Sequence, residues 1–181
     1  MADLHALPEG IPEPLDDGAC DHLPGLRLPS TSLPATTGER YDLSEASELV
    51  MYVYPRTGGP GIDLPADWDL IPGARGCTPQ SCAFRDASRS FQKLGFDLIG
   101  FSAQNSSEQA EFAAREHIRF PLVSDQDLTL GASLGLPTFE AGGLTLYRRA
   151  TLVVREHTIE KVFYPVFPPD QNAHEVLAYL S

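Results

Sequence analysis

Two cysteines five residues apart, Cys77 and Cys82, are the side chains of this chain best suited to covalent chemistry. They lie in Gly73-Ala74-Arg75-Gly76-Cys77-Thr78-Pro79-Gln80-Ser81-Cys82-Ala83-Phe84-Arg85-Asp86. Thr78 suits a helix N-cap and Pro79 the first helical position, so a helix is expected to begin beside Cys77. Unpaired N–H groups and the macrodipole at such an end favour a thiolate, and Arg75 adds positive charge. The thiolate is the nucleophile, so Cys77 stands where a reactive sulfur is expected. Spacing alone is a weak signal, and two small core residues would account for the pair at least as well. A zinc site is not indicated: no second Cys/His pair stands at ligand spacing, and His117 and His157 are isolated. The residues call for no cofactor and no metal. The third cysteine, Cys20, sits between Ala19 and Asp21, where carboxylates disfavour a thiolate, and is expected to be unreactive.

The elements around Cys77 can be read from apolar patterning. Leu49-Val50-Met51-Tyr52-Val53-Tyr54 is an unbroken apolar run ending at Pro55, as in a central strand buried on both faces. From Pro55 to Pro79 there are five prolines and five glycines, a long irregular loop of the kind that is usually functional. Ala83, Phe84, Ala87, Phe91 and Leu94 then recur at helical spacing up to Gly95. A strand at Phe96–Phe101, a helix opening at Ser106, a short strand at Phe120–Ser124 and a short helix at Leu128–Leu134 follow. Arg149–Val154 and Thr158–Phe163 form a hairpin around Glu156-His157, and Gln171–Leu180 a closing helix. Upstream, Leu26, Leu28 and Leu33 suggest strand, Thr37-Gly38-Glu39 a turn, and Tyr41–Ser44 a short helical turn. This alternation predicts a three-layer α/β domain with a mixed central sheet flanked by helices.

The chain has 181 residues, enough for one domain that needs no disulfide or metal staple. Thirteen basic against twenty-five acidic residues give a net charge of −12, which argues against nucleic acid or an anionic membrane as partner. No run of 18 apolar residues exists, and Met1-Ala2-Asp3-Leu4-His5 has neither a basic nor an apolar signal region. Three cysteines are too few for a disulfide framework, so a reducing, cytoplasmic location is expected. Residues 1–25 are acidic and proline-rich and read as an arm on the domain 26–181 or as partly disordered.

Tyr54-Pro55, Gly76-Cys77-Thr78 and Cys82-x-Phe84-Arg85-Asp86 together resemble the peroxiredoxins, and most closely the PrxQ or bacterioferritin-comigratory type. That motif reads Tyr-Pro-x-x-x-Thr-Pro-Gly-Cys-Thr-x-x-x-Cys-x-Phe-Arg-Asp. The resemblance continues in Leu98–Ser102, Phe112-Ala113, Phe120–Asp125 and Arg149–Val153, and covers about Leu26 to Leu180. It implies a thioredoxin-like fold and a thiol-dependent peroxidase acting on hydrogen peroxide and organic hydroperoxides. By this resemblance Cys77 is the peroxidatic cysteine, and Cys82 is the resolving cysteine that closes an intramolecular disulfide. Arg149 is the arginine facing the thiolate, with Arg148 pointing to the other face, and Pro55 shields the sulfur. A thioredoxin-like dithiol would be the reductant, and the protein a monomer, with a dimer as the alternative. Two rival functions share the fold: a dithiol–disulfide oxidoreductase and a non-catalytic redox-sensing module.

One departure stands out. The motif threonine three residues before the cysteine is Ala74 here. Either an insertion at about 58–74 separates Thr57 from the motif and leaves its hydroxyl in reach of the site, or Thr57 is only a turn residue. Trp68, the sole tryptophan, is expected to pin this insertion.

Overall fold

The computed structural model describes residues 3–181. Its centre is a five-stranded mixed sheet. The strands are β3 (Leu49–Val53), β4 (Asp97–Ser102), β5 (Leu122–Ser124), β8 (Ala150–Arg155) and β9 (Thr158–Phe163), in the order β5-β4-β3-β8-β9. β3 runs parallel to β4 and β4 to β5, whereas β8 is antiparallel to both β3 and β9. Two short hairpins flank the sheet: β1 (Ser32–Pro34) with β2 (Arg40–Asp42), and β6 (Thr138–Ala141) with β7 (Leu144–Tyr147). Among the described residues there are four α-helices: α1 (Cys77–Lys93), α2 (Ser106–Arg115), α3 (Thr129–Leu134) and α4 (Asn172–Leu180).

Every residue of β3 is buried, and its alternation divides the core. Val50 and Tyr52 face Phe84 and Phe91 of α1, Phe112 of α2 and Val176 of α4. Leu49, Met51 and Val53 face Leu130 and Leu134 of α3, together with Tyr147, Cys20 and Leu23. Three layers result. The Tyr52 and Phe84 rings stack at 4.5 Å between centroids, which fixes α1 against the central strand.

Four findings refine the sequence expectations. The cap of α1 is Gly76, not Thr78, so Cys77 is the first helical residue and Pro79 the third. Gly76 has φ +113°, and a Cβ there would run into the Pro169 ring and Leu7, so both backbone and space require glycine. Second, β6 and β7 were not foreseen, although Gly142-Gly143 between two short apolar stretches is a hairpin signal. Third, the composition boundary at residue 25 does not follow the packing: Cys20 and Leu23 are buried in the core. Residues Tyr41 and Asp42 are strand, and the short helical turn begins at Leu43. The hairpin turn at Glu156-His157 has φ of +50° and +64°, as a tight two-residue turn demands.

Candidate active site

The strand-to-helix loop delivers Cys77 to the N-terminus of α1, and that sulfur is almost fully buried. Arg149, immediately before β8, reaches it: Nη2 lies 3.3 Å from Cys77 Sγ. The same nitrogen donates to the Ala74 carbonyl at 2.9 Å, and Nε donates to Gly73 at 3.3 Å. Nη1 donates to Gln80 Oε1. Gln80 in turn donates to Asn172 Oδ1 at 3.1 Å, which also accepts from Thr151 Oγ1 at 2.6 Å. Gln80, Asn172 and Thr151 are fully buried, so this chain of bonds locks the guanidinium in one orientation. A fixed cation and the free N–H groups of the first turn of α1 therefore converge near one sulfur. Gln80, Asn172 and Thr151 were missed from sequence; only the position of Gln80, three residues after Cys77 on a helix, was a hint.

The other predicted residues are placed as follows. Arg148 points outward, donating to the Thr138 carbonyl and lying 3.9 Å from Asp17. Arg75 is buried but committed elsewhere, to Asp69 at 3.0 Å and to the Asp3 carbonyl at 2.6 Å. Pro55 is buried just after β3 and accepts from Ser102 Oγ. Thr57 is buried, and its hydroxyl and N–H both donate to Gln104 Oε1 at 3.0 Å. Gln104 therefore takes up the hydroxyl, and the adjoining Arg56 and Gly58 line the void at Cys77. Trp68 is buried among Ala74, Ala141 and Leu146, pinning the insertion, and it lines the same void. That void holds only about 10 Å³, and Leu4 of the N-terminal segment forms part of its wall.

Cys82 is one and a half turns further along α1 and half-buried. Its sulfur lies 3.6 Å from Glu116 Oε2. Burial pushes this thiol up to about 11; Arg85 opposes the rise and Glu116 reinforces it. Cys20 is pushed higher, to about 12, by burial and then by Asp17, Asp16 and Asp21. All three cysteines are free thiols.

The Redoxin family model matches residues 23–179. The chain belongs to the redoxin family. Among solved structures it is similar to peroxidoxin BcpB of Mycobacterium tuberculosis, at 26% identity and TM-score 0.70 over 87% of this chain and 96% of that one. Peroxiredoxin Q of Xanthomonas campestris is similar at 25% identity and TM-score 0.68, over the same shares. Among curated proteins it resembles the chloroplastic peroxiredoxin Q of Gentiana triflora, with 29% identity over 156 residues, 84% of this chain. Its likeness to the Populus jackii protein is 29% over 160 residues, 87% of this chain. The chain matches only part of these plant relatives, 64% and 67% of their lengths. The relatives and structures it resembles are of the peroxiredoxin Q and bacterioferritin-comigratory type, and the three-layer fold is thioredoxin-like.

Proposed function

We propose that this redoxin is a thiol-dependent peroxidase that reduces hydrogen peroxide and organic hydroperoxides through Cys77. The observation that carries this is the Arg149 guanidinium held 3.3 Å from a buried sulfur at a helix N-terminus. The Cys77 thiolate attacks one peroxide oxygen, the O–O bond breaks, and the second oxygen leaves and takes a proton. Negative charge moves from sulfur to the leaving oxygen. Arg149 and the first-turn N–H groups are already fixed along that path and need not reorganise. Gln80 positions Arg149. Pro55 and the turn at Thr57, tied to Gln104, form the framework of the loop.

The product is a Cys77 sulfenic acid. Cys82 attacks its sulfur, the S–O bond breaks, water leaves, and a Cys77–Cys82 disulfide remains. A thioredoxin-like dithiol then exchanges with that disulfide and restores both thiols. The cycle needs a dithiol reductant, which a cytoplasmic location supplies, and every residue it uses comes from one chain, as a monomer requires. Among the described residues, no helix is long and apolar enough to cross a membrane. Peroxide consumption coupled to thioredoxin and its reductase tests this function. Turnover by the wild type and none by Cys77→Ser is the expected result. Equal turnover by both would remove Cys77 from the reaction.

A further inference from the structure

Glu116 is a buried carboxylate that peroxide cleavage at Cys77 does not use. It caps the C-terminal end of α2 and is only 5% exposed. Its two oxygens are aimed in different directions. Oε1 accepts from Arg115 Nη1 at 2.8 Å. Oε2 faces Cys82 Sγ at 3.6 Å and His5 Nε2 at 2.9 Å. Arg85, on α1 beside Cys82, donates to the Glu116 carbonyl at 2.7 Å and so ties the two elements together. His5 comes from the N-terminal segment, upstream of the family match that begins at residue 23.

The chemistry of disulfide closure poses a need at this place. Cys82 must attack as a thiolate, yet burial pushes its thiol up to about 11. Near neutral pH less than about one molecule in a thousand then carries the anion. Its surroundings also favour the bound proton: Arg85 supplies one positive charge, against the carboxylates of Glu116 and Asp86. A base in contact with the S–H removes this limit during the attack. Glu116 Oε2 is that contact, oriented by Arg115 on one oxygen and His5 on the other.

We propose that Glu116 is the general base of the resolving step, and that His5 is a positioning residue that aims Oε2 at the Cys82 thiol. The inference rests on Cys82 being the resolving cysteine. In the step, the Cys82 proton passes to Glu116 while its sulfur electron pair forms the S–S bond to Cys77. The Cys77 S–O bond breaks, the departing hydroxide takes a proton from solvent to become water, and Glu116 returns the proton it accepted to solvent. Cys82 is oxidised and the sulfenic sulfur is reduced by the same amount. Cys77 is the first residue of α1. Unwinding of the first turns therefore carries Cys77 toward Cys82, while the rest of the helix, anchored by Phe84 and Phe91, keeps Cys82 at Glu116.

The groups that could shape a pH profile here are Glu116, His5, Arg115, Arg85 and Asp86, together with Asp3, whose Oδ1 is 3.7 Å from His5 Nδ1. Stopped-flow fluorescence of Trp68 with excess hydrogen peroxide would separate sulfenic acid formation from disulfide formation, with mass spectrometry to confirm each product. Glu116→Gln keeps shape and hydrogen bonding but cannot take the proton. It should slow the second phase relative to the first by about a hundredfold or more, and Cys77 sulfinic acid should accumulate. Its second phase should also regain speed steeply at high pH, where Cys82 ionises unaided. His5→Ala, a change at an exposed side chain that leaves the core intact, should slow the second phase less, and His5→Gln, which keeps an N–H donor, should restore it. A wild type that forms the Cys77–Cys82 disulfide alongside a Glu116→Gln variant that forms it equally fast would overturn the base assignment alone. A wild type that forms no such disulfide would overturn both this inference and the peroxidase cycle beneath it.

Discussion

At the scale of single residues, the difference among three thiols in one chain comes from their surroundings. Cys77 has a guanidinium at 3.3 Å, Cys82 has a carboxylate at 3.6 Å, and Cys20 is buried with three aspartates around it. Arg149→Met removes the only guanidinium that donates to the Cys77 sulfur among the described residues. Sulfenic acid formation should fall by about a hundredfold or more, as when a fixed donor to developing charge is lost. Stopped-flow mixing with peroxide measures it, and an unchanged rate would take Arg149 out of the site. The raised Cys82 thiol gives a pH prediction with a defined sign. In Cys77→Ser, alkylation of Cys82 should climb about tenfold per pH unit through pH 8–10, since only the thiolate reacts, and level off near 11. A plateau by pH 9 would show that burial and Glu116 do not hold the proton. Cys77, Cys82 and Arg149 were legible in sequence because their motifs are local. Gln80 bonded to Arg149, 69 residues away, and His5 bonded to Glu116, 111 away, were not: tertiary packing alone brings them together.

At the scale of elements, α1 has to serve two incompatible geometries. It runs unbroken from Cys77 through Cys82. Residues five apart on an α-helix are about 8.6 Å apart at Cα and roughly 140° around the axis. A disulfide needs less than about 7 Å, with Cβ atoms facing. Oxidation must therefore open the first turns of α1, and the glycines and prolines upstream leave slack for it. Hydrogen exchange should show amides 80–85, which bond to the carbonyls of the first turns, well protected in the reduced protein and exposed in the disulfide form. Equal protection in both, with the disulfide confirmed by mass spectrometry, would contradict this. The sequence placed α1, β3, β4, β8 and β9 because each carries a strong apolar period or run. It misplaced the cap by two residues, since Thr78 and Pro79 are good N-terminal residues and Gly76 is selected by the Pro169 ring packed against it. The β6–β7 hairpin was overlooked because its strands are four residues each and half-exposed, too short for a clear alternation.

At the scale of the whole molecule, the acidic N-terminal segment is part of the working fold. Leu23 and Cys20 are in the core, Asp3 and Ala6 hold Arg75 through their carbonyls, and Leu4 closes the void at Cys77. About 10 Å³ admits roughly one water molecule, and Leu4 is part of the wall that narrows the void. Leu4→Ala should therefore speed the reaction with cumene hydroperoxide more than that with hydrogen peroxide. Identical ratios in wild type and variant would show that the segment does not gate the site. Composition marked residues 1–25 as distinct without revealing where they dock, because acidic and proline-rich sequence carries no period that names a partner surface. The central claim is that Cys77 is the sulfur that meets peroxide. It is tested most directly by treating Cys82→Ser with one equivalent of hydrogen peroxide in the presence of dimedone and mapping the adduct by mass spectrometry. A single adduct on Cys77 is the predicted result; an adduct on Cys20, or none on Cys77 while peroxide is consumed, would contradict it.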